Sequence, residues 1–228
     1  MAIMKLGSKE VGSTVKLNVG GVAREFLVVH QGLPGTMYDA SCDGTWLLMK
    51  DIYENRKWHS SDINAYDKSD INAYLNGEFL NKFDADIRSQ IKSVKIPYYN
   101  RNSGSVYAGA AGCLVKIFLL DAREIGFDHD YAPANEGKTL TYFHGCIAIG
   151  KDSRRIALLD GVAARWFLRT PYAPGVQRSE SAFTVEADGH HGGCQCSAVA
   201  LGIRPAMILP ADLWVTDDGT ITTDTAPT

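Results

Sequence analysis

Nowhere does this chain hold an uninterrupted apolar run long enough to span a bilayer, so membrane insertion is not expected. Its opening, Met1-Ala2-Ile3-Met4-Lys5-Leu6-Gly7-Ser8, lacks the apolar stretch of a secretory signal, which makes a soluble product of the cytoplasm the expectation. Basic runs are missing as well. With 23 lysines and arginines against 26 acidic residues the net charge is -3, no basic face forms, and nucleic acid is not an expected partner. Cysteine is sparse and odd in number. Cys42, Cys113, Cys146, Cys194 and Cys196 show no framework spacing, so reduced thiols and no essential disulfide are expected.

The simplest enzyme signatures are absent too: no Gly-x-Ser-x-Gly, P-loop, dinucleotide glycine fingerprint, His-Glu-x-x-His or EF-hand loop. Ser89-Gln90-Ile91-Lys92 does match Ser-x-x-Lys, but without a Ser-Asp-Asn or Lys-Thr-Gly companion it reads as a chance match on the exposed face of a helix. No enzymatic activity and no cofactor are expected.

What the chain does have is enough apolar content for one core. Its 228 residues are 45% hydrophobic and 21% charged, and no linker-like stretch divides them. The reading is one domain over residues 1–215, with a small hairpin and a polar tail over 216–228. Residues 15–19 and 25–29 alternate like strands around Gly20-Gly21, a hairpin signal. Residues 45–49 are apolar enough for a strand buried on both faces. Ser61-Asp62-Ile63-Asn64-Ala65-Tyr66 recurs as Ser69-Asp70-Ile71-Asn72-Ala73-Tyr74; in the second copy Ser69 can cap a helix reaching 82, while the first copy reads as a turn. Ile87, Ile91 and Val94 predict a second helix from Asp84 that Pro97 stops. Further strands are predicted at 114–120, 155–159, 165–169, 182–186 and 203–209, with hairpin turns at Asp160-Gly161 and Asp217-Asp218-Gly219. Two early helices packed on many short antiparallel strands define an α+β class.

Few residues suggest chemistry. His190-His191-Gly192-Gly193-Cys194-Gln195-Cys196 offers four soft ligands, yet a structural zinc site pairs two distant knuckles, so the run reads as an exposed polar loop with no metal. Asp128-His129-Asp130 reads as solvated or capping. Trp46, Trp166 and Trp214 sit in apolar runs and read as core; Trp58 is left open between core and sugar stacking. Arg204, inside an apolar strand, demands an acidic or carbonyl partner.

Trp58-His59-Ser60-Ser61, Tyr74-Leu75-Asn76, Phe79-Leu80-Asn81-Lys82-Phe83, Trp166-Phe167-Leu168-Arg169-Thr170-Pro171 and Gly202-Ile203-Arg204-Pro205-Ala206, in that order and spacing, resemble an uncharacterised domain family frequent in phages of gut Firmicutes. That family in turn resembles the formylglycine-generating-enzyme branch of C-type-lectin-like folds, which includes phage tropism determinants diversified by retroelements. The resemblance covers about residues 11–215, although Thr170 stands where serine is usual. It implies a framework of Trp166, Leu168, Val185, Ile203 and Ile208 that displays a variable binding segment over about 172–201.

The expectation that follows is a receptor-binding or adhesin-type protein of a bacteriophage particle, made in the host cytoplasm and displayed on a tail tip, fibre or capsid. Its ligand would be a bacterial surface protein or glycan, its neighbours other phage structural proteins, and homo-oligomerisation is left open. The binding residues expected are Tyr172, Gln177, Arg178, Glu180, Phe183, Thr184, Glu186, His190, His191 and Gln195, with those beside Gly and Pro turns exposed together. Two alternatives stand beside this reading. One is a formylglycine-generating-type oxidase using Cys194 and Cys196, whose Cys-x-Cys spacing is narrower than that chemistry uses. The other is a structural virion decoration protein.

Overall fold

The computed structural model describes residues 3–130, 132–133, 136–173 and 180–223. Its backbone is built on ten strands: β1 (Thr14–Val19), β2 (Val22–Gln31), β3 (Thr45–Met49), β4 (Glu54–Arg56), β5 (Ile117–Phe118), β6 (Trp166–Pro171), β7 (Ser181–Val185), β8 (His191–Gln195), β9 (Leu201–Ile203) and β10 (Ala206–Leu209). They form two five-stranded sheets, in the orders β5-β10-β3-β2-β1 and β8-β7-β6-β9-β4. All pairs are antiparallel except β6 with β9.

Local sequence explains much of this. In β1, Val15, Leu17 and Val19 are buried and the residues between them are not, the two-residue period of a half-covered strand. The turn into β2 needs positive φ at both Gly20 (61°) and Gly21 (79°), which glycine supplies without strain. Residues 45–49 are buried throughout, as β3 lies between β10 and β2. Helix α1 (Asp70–Tyr74) starts where the Ser69 hydroxyl accepts from the Asn72 N–H at 3.1 Å. It continues through a π turn, Leu75–Phe79, and a 3-10 turn, Leu80–Lys82, a 13-residue helical stretch. Ile71, Leu75 and Phe79 on it are fully buried. The first copy of the repeat is a turn, as expected.

Several expected elements are corrected. Helix α2 (Ala85–Gln90) is short, and Val94–Ile96 is a strand paired with Cys113–Val115, not the end of a helix. The strand expected over 114–120 breaks at Lys116, because Asn76 Oδ1 accepts from the N–H groups of both Lys116 (2.7 Å) and Ile117 (3.1 Å). Residues 153–155 form a 3-10 turn, so the Asp160-Gly161 hairpin joins Leu158–Leu159 to Val162–Ala163 and β6 starts later. Residues 203–209 are two strands, in different sheets. Trp58 is core, donating to Leu168 O at 3.1 Å, as are Trp46 and Trp166. Trp214 is only half-buried, with Lys5 Nζ 3.7 Å above its ring.

Where the ladder leaves one sheet for the other, backbone carbonyls lose strand partners and arginines replace them. At the break between β9 and β10, Arg204 donates to Met49 O (2.8 Å) and Lys50 O (2.9 Å), the carbonyl partners its sequence position demanded. Arg155 donates to Ile125 O (2.9 Å), Gly126 O (3.1 Å) and Ile147 O (2.8 Å), organising a region with little regular structure. Arg169, on β6, donates to Leu119 O (2.8 Å) and Pro97 O (3.2 Å).

Arg169 also holds the one buried ionic cluster seen among the described residues. It meets Glu124 through both nitrogens, at 2.6 and 2.7 Å, and Asp121 at 2.8 Å. The two acids cap each other's backbone: the Glu124 N–H donates to Asp121 Oδ1 (2.8 Å) and the Asp121 N–H to Glu124 Oε2 (3.0 Å), a capping box around a tight turn. Tyr38 donates to Glu124 at 2.9 Å, and Glu136, equally buried, accepts from the Tyr99 N–H at 3.2 Å. One guanidinium thus faces three carboxyl groups. Burial, then the Glu124 charge, holds Asp121 well above the usual carboxylate range; burial pushes Glu136 up to about 7, against the pull of Arg169.

Two outcomes follow. Arg169→Met strands two buried carboxyls and should cost about 3–5 kcal/mol in urea unfolding, part of it restored by adding Asp121→Asn and Glu124→Gln; a loss under about 1 kcal/mol would contradict the arrangement. The Glu136 carboxyl binds its proton more tightly folded than unfolded, so its stabilisation is complete below about 4.3 and disappears as pH rises through about 7. The melting temperature should therefore fall between pH 5 and pH 8, by the equivalent of roughly 2 kcal/mol, and Glu136→Gln should flatten that slope.

Candidate functional site

The segment expected to bind is carried by the β7–β8 hairpin at one edge of the second sheet. Strand β7 is buried along its whole length, with β6 on one side and β8 on the other. Strand β8 is the sheet's edge and is half-buried, with Gln195 exposed. Their register is regular, from Ser181 opposite Gln195 to Val185 opposite His191. The turn between them places Gly189 at φ 84° against the Asp152 backbone, where a Cβ would collide with it.

Two glycines shape β8. A Cβ on Gly193 would run into the Tyr172 ring, and one on Gly192 into the Glu186 carboxylate, so each strand face carries a side chain from elsewhere laid across bare backbone. Beside Gly193 lies a groove of about 390 Å³, lined by Glu180, Ser181, Gly193, Cys194 and Gln195.

The expected residues divide into three groups. Glu180 and Gln195 stand at the groove, and Gln195 Nε2 donates to Asp62 Oδ2 at 2.6 Å. Glu186, His190 and His191 lie at the other end of the hairpin, about 13 Å along the strand from Gln195. There Glu186 pairs with Arg165 at 2.7 Å, and Asp188 holds His190 Nδ1 at 2.5 Å and Lys151 at 2.8 Å. Lys151 and His190 hold the Asp188 carboxyl below the usual range. The His191 ring sits 4.3 Å from that of His129 and 5.9 Å from Phe127, and burial lowers its pKa. The third group is a correction: Tyr172, Phe183 and Thr184 are buried. Tyr172 packs edge-on against Phe183 with centroids 4.6 Å apart, and the Thr184 hydroxyl is spent on Glu186 at 3.0 Å. They support the hairpin and do not face solvent. Gln177 and Arg178 lie outside the described residues.

Sequence reasoning missed two partners that fix the hairpin. Asp62 accepts from Gln195 and from both the backbone and hydroxyl of Ser197. Buried Asn64, two residues on, donates to Ser181 O at 3.0 Å. Both belong to the first copy of the Ser-Asp-Ile-Asn-Ala-Tyr repeat, whose polar positions were the available signal. The five thiols are all unactivated: burial raises the pKa of every one, Cys194 and Cys196 included.

These features define a mixed α+β domain, mostly strand, whose several antiparallel sheets carry a grooved hairpin at one edge. The chain belongs to the family described as Domain of unknown function (DUF6273), whose model matches residues 43–211, from the turn before β3 to just past β10. No curated protein and no solved structure matches it. No helix among the described residues is long and apolar enough to cross a membrane.

Within the described residues no three His, Cys, Asp or Glu side chains converge as metal ligands. A zinc chelator should accordingly leave the melting temperature unchanged in a thermal scan, whereas a large drop would reveal a structural ion.

Proposed function

We propose that this protein is a receptor-binding or adhesin-type component of a bacteriophage particle, with a C-type-lectin-like fold, that recognises a bacterial surface protein or glycan through the β7–β8 hairpin and catalyses nothing. The observation that carries the reading is the division of labour along the segment. Its inward side chains, Tyr172, Phe183 and Thr184, are buried and pinned, while Glu180 and Gln195 border an open groove that the core does not fill. A surface of that kind can change its outward residues without disturbing the fold beneath.

Two further features support it. The framework residues Trp166, Leu168, Val185, Ile203 and Ile208 are all fully buried, giving the hairpin a rigid base. The strand Met4–Lys5 pairs with Trp214–Val215, tying the two ends of the domain to each other. In this reading other particle proteins hold the domain, and it is displayed on a tail tip, fibre or capsid.

The test is a combined substitution of Glu180, His190 and Gln195 by Ala, assayed for binding to host cells and for urea stability. Binding should be abolished, with stability changing by no more than about 1 kcal/mol at Gln195 and His190, which each give up one exposed hydrogen bond, and by less at Glu180. Intact binding would place recognition elsewhere on the molecule.

A further inference from the structure

A second concavity, away from the hairpin, has the makings of a binding site. It is a groove of about 240 Å³ between β2–β3 and the Ser153–Leu158 region, and Arg204 lies in its lining. Nε and Nη2 of Arg204 serve the Met49 and Lys50 carbonyls, but Nη1 is buried with no hydrogen-bond partner. A buried donor left unmade is costly, and a buried charge more so. Arg169 answers the same problem with two carboxylates, whereas Arg204 has carbonyl oxygens, the Trp166 ring 5.0 Å away and the charge of Asp51, with no carboxylate bonded to it. Burial accordingly pulls its pKa down to about 10.

The rest of the lining indicates what would complete it. Leu27, Ile156 and Leu158 supply apolar wall, and Tyr142 and Ser153 add a ring and a hydroxyl. Of the other charged groups present, Lys50 is paired with Glu25, Arg154 with Asp152, and Asp51 accepts from the Leu158 N–H at 3.2 Å. With Lys50 and Arg154 already paired, the unmade Nη1 donor of Arg204 is the group that calls for an acceptor, and the apolar wall favours one with a hydrocarbon body.

We propose that this groove binds a small organic carboxylate, its charge held by Arg204 and its apolar part laid on Leu27, Ile156 and Leu158. Asp152, which pairs with Arg154 of this lining, also backs the Gly189 turn of the hairpin, but the two grooves are separate and neither reading depends on the other. Substituting Arg204 would also remove its bonds to the strands it joins, so the informative variant is Leu158→Glu, which sets a repelling carboxylate in the lining from a side chain already 37% exposed.

The experiment is methyl NMR of the full chain titrated with isovalerate, with isovaleramide as the uncharged twin and inorganic phosphate as the purely ionic arm. Isovalerate should give saturable shifts at the Leu27, Ile156 and Leu158 methyls and at the Arg204 Nε–H, and the other two probes none. Leu158→Glu should weaken that response by about tenfold or more at an unchanged melting temperature. Equal shifts with isovaleramide, a response to phosphate matching that to isovalerate, or no saturable response would each overturn the proposal.

Discussion

A guanidinium carries five N–H donors in a fixed fork, enough to serve several backbone carbonyls at once while staying charged, and this fold depends on three of them. Between β5 and β6 the chain runs through some forty-five residues with few ladder bonds, yet much of it is buried; its carbonyls must find donors inside the protein. Arg155 and Arg169 supply them, and Arg204 does so where strands change sheets. Desolvating three cations is expensive, and the fold meets the cost differently each time. Carboxylates surround Arg169, the Phe127 ring lies 3.8 Å from Arg155, and carbonyls with the Trp166 ring attend Arg204.

The carboxylates around Arg169 have an effect beyond neutralising it. Because Asp121 and Glu124 cap each other's N–H groups, one side-chain cluster also sets the turn that leads the irregular segment away from β5. Thr170 joins in, its hydroxyl accepting from the Ala122 N–H at 2.8 Å. A serine at this position would offer the same oxygen and keep the hydrogen bond.

Elements specified by local chemistry were legible in the sequence: the Gly20-Gly21 hairpin, the wholly apolar β3 and the Ser69-capped helix. Those decided by distant partners were not. Nothing local announces that Asn76 will turn two N–H groups out of a strand, or that Val94 will find Val115 and leave the helical period. Asp121-Ala122-Arg123-Glu124 did carry a capping-box spacing, though its burial could not be read from the spacing. In the hairpin, composition revealed a polar, glycine-rich segment but not which residues faced inward. Tyr172 and Thr184 look like surface residues by type; Tyr172 becomes core because its ring lies on Gly193 and against Phe183, and Thr184 because β6 and β8 flank it and its hydroxyl bonds Glu186.

The ladder of β3 against β10 in one sheet leads on to that of β4 against β9 in the other, from Thr45 opposite Leu209 to Arg56 opposite Leu201, with Met49 to Tyr53 and Arg204-Pro205 at the break between them. Two sheets whose strands follow directly on one another in this way are not two modules. Fraying one edge of the ladder withdraws support from both cores, so the domain lacks the seam along which partially open forms usually separate. All-or-none opening of this kind shortens the time any unfolded edge is offered to a protease.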